Sequence, residues 1–219
     1  ILLGVSPALL AIGIPLSEQT IPKRTSGQIC VKAPVFPFIK LRGLDPAPGP
    51  EMKSTGEVYG SDTSADVAYL KARLATEVPV ASSGGVYLTV RDEDKGGLVP
   101  IAEELCDLGF TLFATPGTAD VLRSSNVEVT TVYRINERKH PDALDLMRRG
   151  DISFIVNVPT VSGGAVRDGN MMRRLAVELN IPFVTTIRGA RMETAAIRAL
   201  IEKDIVPRKL EVHYDSKFL

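Results

Sequence analysis

The sequence has no surplus of charge of either sign: 26 lysines and arginines face 26 aspartates and glutamates, so the formal net charge is zero. A chain without a basic excess lacks the electrostatic footprint that nucleic acid or anionic lipid requires, and any anion site must be local. Cysteine is scarce. Cys30 and Cys106 lie far apart with no metal-ligand spacing around them, a pattern expected of buried thiols in a reducing compartment such as the cytoplasm. The two histidines, His140 and His213, are too few for a histidine-rich metal site. The opening ILLGVSPALLAIGIP has an apolar tone but no basic residues before it, and Pro7 and Pro15 interrupt it; it reads as buried chain rather than a signal segment. The chain begins with Ile1 rather than Met, as the tail of a longer polypeptide would.

What is present supports a substantial core, with 44% hydrophobic residues in 219. More than half of the 15 prolines fall before residue 51, so the first part is expected to be extended and irregular rather than helical. One helix is expected over DTSADVAYLKARLA, where Val67, Leu70 and Leu74 recur at helical spacing. TEVPVASSGG has the composition of a connector, which divides the chain into residues 1–75, a linker at 76–85 and a second unit at 86–219.

The second unit alternates regularly. VYLTV reads as a strand, and Leu98, Ile101, Ala102, Leu105 and Leu108 form an apolar helical stripe closed by Gly109. Strands FTLFA, VEVTTV, ISFIVNV and PFVTT then alternate with a short helix after Thr118 and helices over DALDLMRR, NMMRRLAVEL and ARMETAAIRALI. That order predicts an α/β fold with a mostly parallel sheet flanked by helices. Such sheets bind ligands beyond the carboxyl ends of their strands, which directs attention to the residues that follow each strand.

Those residues suit an oxyanion. Thr115-Pro116-Gly117-Thr118 is a hydroxyl-rich turn entering a helix, and a helix N-terminus offers free N–H groups and the positive end of a dipole. Lys95, Arg134 and Asn157 follow three other strands and supply charge-assisted and amide donors without a metal. Thr160, Ser162, Gly163 and Gly164 form a second polar stretch after Asn157. Each residue also has a plain alternative: the threonines as helix caps, the lysine and arginine as solvated loop charges, and the asparagine as a turn former. Convergence is what favours binding.

With these motifs in view, GGLVPIAEELCDLGFTLFATPGTADVL and ISFIVN followed by RDGNMMRRLAVELNIPFVTT resemble the methylglyoxal synthase-like domain over about residues 84–203. PVFPFIKLRGLDPAPGPEMKSTGEVYG resembles the segment preceding that domain in the large subunit of carbamoyl phosphate synthetase. The resemblance implies that the first unit is the end of the second ATP-grasp domain, that catalysis using ATP and magnesium or manganese lies before Ile1, and that this stretch is not catalytic by itself. It also implies a phosphorylated nucleotide effector such as UMP or IMP, and partners in the remaining large subunit, a glutaminase small subunit and an oligomer; neither nucleic acid nor membrane is expected. Lys95, Thr115 and Thr118 match the family's phosphate-binding positions, with Gly117 and Asp168 further candidates. Arg134 stands where the family has lysine, and Asn157-Val158-Pro159 stands for Asn-Thr-Thr, leaving Thr160 and Ser162 as candidate replacements for the lost hydroxyls.

Two other readings remain. A phosphate-eliminating lyase of the methylglyoxal synthase type needs a base and a histidine beside the phosphate. Those positions fall near His140 and Arg167, so the lyase set is missing, although Asp142 and Asp168 are carboxylates; Asp142, after Pro141, reads as a first-turn residue that favours the helix dipole. The third reading is a structural domain with a non-functional pocket.

Overall fold

In a computed structural model, residues 7–19, 27–37, 46, 53–159 and 164–207 are described. Strand β1 (Ile29–Val35) pairs antiparallel with β2 (Gly56–Asp62), preceded by the short helix α1 (Pro7–Ala11) and followed by α2 (Ala65–Leu74). The α/β unit then runs β3 (Gly85–Val90), α3 (Lys95–Asp107), β4 (Thr111–Ala114), α4 (Pro116–Ser124), β5 (Thr130–Thr131), α5 (Ala143–Arg149), β6 (Ile152–Val158), α6 (Gly164–Glu178), β7 (Phe183–Val184) and α7 (Ile187–Glu202). Its five strands are all parallel, in the order β5-β4-β3-β6-β7.

The central strands are covered on both faces, which is why they read as continuous apolar runs. Val86, Leu88, Val90, Phe154 and Val156 face one cluster with Leu98, Ile101 and Leu105 of α3, Leu122 of α4 and Ile197 of α7. Tyr87 and Ile155 alternate to the other face and pack with Leu146 and Met147 of α5 and Met172 and Ala176 of α6. The α3 stripe ends in a reversal at Gly109, φ +85°, where Phe110 N–H donates to the Leu105 carbonyl.

Helix α2 lies against α7, and Val67, Leu70, Ala196 and Ala199 form a third buried cluster between them. The link is also ionic. Arg73 bonds both carboxylate oxygens of Glu193 at 2.9–3.1 Å, and Tyr69 Oη donates to the same carboxylate at 2.9 Å. A second ion pair, Lys203 Nζ to Asp66 at 2.6 Å, closes the far end.

Several expectations are corrected. The opening apolar run is not buried where it is described: Ile12 is 74% exposed, and Leu9, Leu10 and Leu16 are exposed too, because five helical residues leave no continuous face to dock. Part of it is also helical, contrary to the irregular chain expected there. Leu74 is exposed at the frayed end of α2, and Cys30 is exposed on a strand of the two-stranded sheet. The helix expected after Thr118 begins at Pro116, so the Thr-Pro-Gly-Thr turn is itself the first helical turn. VEVTTV and PFVTT shorten to two paired residues each at the two edges of the sheet. His213 lies outside the described residues.

Candidate functional site

Beyond the carboxyl ends of β3, β4 and β6 lies an open cleft of about 220 Å³, and Lys95, Thr115, Gly117, Thr118, Arg134, Asn157 and Asp168 all line it. The topology explains the location. After β3 the chain winds outward through β4 and β5 and then returns to β6 on the other side of β3, so the loops leave β3 and β6 in opposite directions and open a crevice. Thr160 and Ser162 lie outside the described residues.

Each wall has a local cause. A 3-10 turn over Asp92–Asp94 follows β3 and delivers Lys95 as the first residue of α3, not as a loop residue. Its ammonium pairs with Asp92 Oδ1 at 2.6 Å and lies so close over Gly117 that a Cβ there would sit 3.0 Å from Lys95 Nζ. Asp92 is held below the usual carboxylate range first by the Lys95 hydrogen bond and then by the charges of Lys95 and Arg134.

Thr115 is the N-cap of α4, yet its side chain does not cap the backbone; Thr115 Oγ1 donates instead to Thr118 Oγ1 at 3.3 Å. Pro116 has no N–H, and the N–H groups of Thr118 and Ala119 both donate to the Thr115 carbonyl. Gly117 N–H is thus the donor of this turn without an intrahelical acceptor, and the residue has no side chain of its own to cover it.

The third wall is polar where the sheet stops being core. Along the α6 face, Tyr87 is followed by Thr89 and Ile155 by Asn157, and Thr89 and Asn157 are register partners. Asn157 lies inside β6 and is buried, rather than forming a turn at the strand end. Burial first, then the charges of Asp168 and Asp142, raise the Tyr87 hydroxyl well above the usual tyrosine range, so it stays a neutral donor. Asp168, on α6, accepts from the Asn136 backbone N–H at 3.2 Å and ties that helix to the segment after Arg134. Arg91, Lys95 and Arg134 give the cleft three cations against the two carboxylates Asp92 and Asp168.

Sequence reasoning missed Arg173, which is buried and donates to Asn157 Oδ1 at 2.5 Å. The available signal was its place on the stripe Gly169, Met172, Arg173, Ala176, all of it buried. His140, Asp142 and Asp145 could together approach a metal ion, but their atoms are already engaged. Asp142 is the N-cap of α5 rather than a first-turn residue; it forms a capping box with Asp145, whose carboxylate also meets the His140 ring. None of the three lines the cleft.

Residues 97–185 match the MGS-like domain family. That stretch is an MGS-like domain. The match begins at Gly97, inside α3, and runs through β7, so it takes in every cleft residue named above except those on β3 and between β3 and Gly97, Lys95 among them. The whole chain reaches further in its similarities. It is 45% identical over 173 residues to the carbamoyl phosphate synthase large chain, C-terminal section, of Methanocaldococcus jannaschii, covering 78% of this chain and 28% of that one. It is 43% identical over 184 residues to the corresponding section from Methanopyrus kandleri, covering 84% of this chain and 34% of the relative. A carbamoyl phosphate synthase large chain from Archaeoglobus fulgidus is 36% identical over 211 residues, 95% of this chain and 19% of the relative. The chain therefore spans about a third or less of the length of these curated relatives. Among the described residues, no helix is long and apolar enough to cross a membrane.

Proposed function

We propose that this chain is the regulatory C-terminal part of a carbamoyl phosphate synthase large chain, whose MGS-like domain binds the phosphate of a nucleotide effector of the UMP or IMP type. The observation that carries the reading is the convergence of Lys95, Gly117 N–H, the Thr115 and Thr118 hydroxyls, Arg134 and Asn157 on one cleft. These groups are donors matched to a phosphate: a helix N-terminus, an ammonium, a planar guanidinium and an amide. In the same reading ATP-dependent carbamoyl phosphate synthesis belongs to the enzyme's other parts, with ATP, magnesium or manganese and a glutaminase partner, and this stretch controls it through differential affinity of the effector for two states.

Calorimetric titration of UMP, IMP and inorganic phosphate into the whole chain tests the proposal. Nucleotide binding that Lys95→Ala weakens at least tenfold supports it; nucleotide affinity unchanged by Lys95→Ala would sink it. The whole chain is needed because a fragment starting at residue 84 would strip Arg73 and Tyr69 from the buried Glu193 carboxylate. The lyase alternative gains nothing from the geometry, since His140 and Arg167 are exposed and neither lines the cleft.

A further inference from the structure

Arg173 sits in the middle of α6 with 3% of its surface exposed, on the side of the helix that faces the sheet. A guanidinium enters an apolar stripe only with partners, because an unpaired buried charge is strongly disfavoured. One partner is fixed by the geometry: Arg173 Nη1 donates to Asn157 Oδ1. Arginine has no acceptor, so the amide of Asn157 has only one orientation compatible with that neighbour. Turning it by half a rotation would set two N–H donors against a buried cation. With Oδ1 committed to Arg173, Nδ2 is the polar group that Asn157 offers to the cleft it lines.

Gly169 makes the approach possible. A Cβ at that position would lie 2.8 Å from Arg173 Nη1 and 3.3 Å from Asn157 Oδ1. One turn of α6 therefore reaches β6 only because no side chain intervenes, and the pair is seated on both sides.

We propose that Arg173 is a positioning residue for the cleft: it locks the Asn157 amide with its donor face toward the ligand, and Gly169 leaves the space this requires. The proposal rests on the reading of the cleft as an oxyanion site. It gives that site a selectivity, because the Asn157 edge presents donors without an acceptor and so favours a fully ionised ligand oxygen over a hydroxyl.

The test uses the 219-residue chain labelled with 15N, as wild type, Arg173→Met, Arg173→Lys, Gly169→Ala, Asn157→Ala and the Arg173→Met/Asn157→Ala double variant. The Asn157 side-chain amide signals, assigned by their loss in Asn157→Ala, should be shifted and slow to exchange with solvent in the wild type. They should move to ordinary exposed values in Arg173→Met and be disturbed in Gly169→Ala. Amide signals unchanged in both variants would overturn the proposal, and this readout needs no ligand. Inorganic phosphate is then titrated. Arg173→Met should lose about tenfold in affinity with Asn157 present and nothing further in the Asn157→Ala background. An equal loss in both backgrounds would mean that Arg173 acts by its charge alone, and the positioning role would be wrong. Failure of wild type to bind phosphate would remove the oxyanion reading while leaving the amide signals to decide the Arg173–Asn157 arrangement. If Arg173→Met does not fold, Gly169→Ala carries the same two measurements, and unchanged amide signals in it overturn the proposal; Arg173→Lys, a donor-only cation like arginine, should keep the amide orientation.

Discussion

At the scale of single residues, the cleft holds an internal competitor for its own ligand. Asp92 pairs with Lys95 although the Asp92 side chain is 91% exposed. Solvent screens an exposed pair of this kind, which holds only weakly, so an incoming phosphate displaces it at little cost. Asp92→Asn should therefore tighten inorganic phosphate binding by no more than a few-fold. Weaker binding in calorimetry would instead mean that the carboxylate itself holds the ligand. Lys95, the Thr115–Thr118 turn, Arg134 and Asn157 were legible as cleft-lining residues because each carries donor chemistry near the carboxyl end of a strand, although Lys95 belongs to α3 and Asn157 to β6 itself. Arg173 was not, because an arginine in an amphipathic helix reads as surface charge until a sheet is placed against it. What separates Arg173 from its exposed neighbour Arg174 is one step of helical rotation.

At the scale of elements, the strand and helix alternation was readable because buried parallel strands and amphipathic helices differ in period as well as in composition. The edge strands β5 and β7 were overestimated: each pairs over only two residues, and the pairing that trims an apolar run depends on its neighbour rather than on the run. The contact between α2 and α7 was invisible for a related reason, since Arg73 and Glu193 are 120 residues apart. Their side chains are 14% and 2% exposed, so this is a buried pair in which loss of one partner leaves an uncompensated charge. Glu193→Ala should cost about 3 kcal/mol, the lower end of the range for such changes, because Arg73 keeps Thr76 Oγ1 and the Pro79 carbonyl as acceptors. Denaturant unfolding of the whole chain measures it, and a change below about 1 kcal/mol would assign the α2–α7 contact to the apolar cluster alone.

At the scale of the whole molecule, zero net charge conceals a set of paired groups that fasten the two parts of the chain together, which composition could not locate. The pairing has a pH signature. Burial pushes the Asp66 carboxyl up, but hydrogen bonds from Lys203 and Ser64 outweigh it and hold the group at about 2. Asp62 is lowered in the same direction, chiefly by its hydrogen bond from Lys71. A carboxyl whose pKa is lower in the folded than in the unfolded state adds stability that is fully present above the unfolded value of about 3.9. That contribution is lost as the pH falls toward and through the folded value. The wild-type urea midpoint should accordingly decline between about pH 4 and pH 2. Because Lys203 lies just past the end of α7 and Asp66 at the start of α2, Asp66→Asn should lower the midpoint at neutral pH and flatten the acid decline. Parallel wild-type and Asp66→Asn curves would show that the bridge between α7 and α2 carries no pH-dependent stability and that the acid limb belongs to other carboxylates.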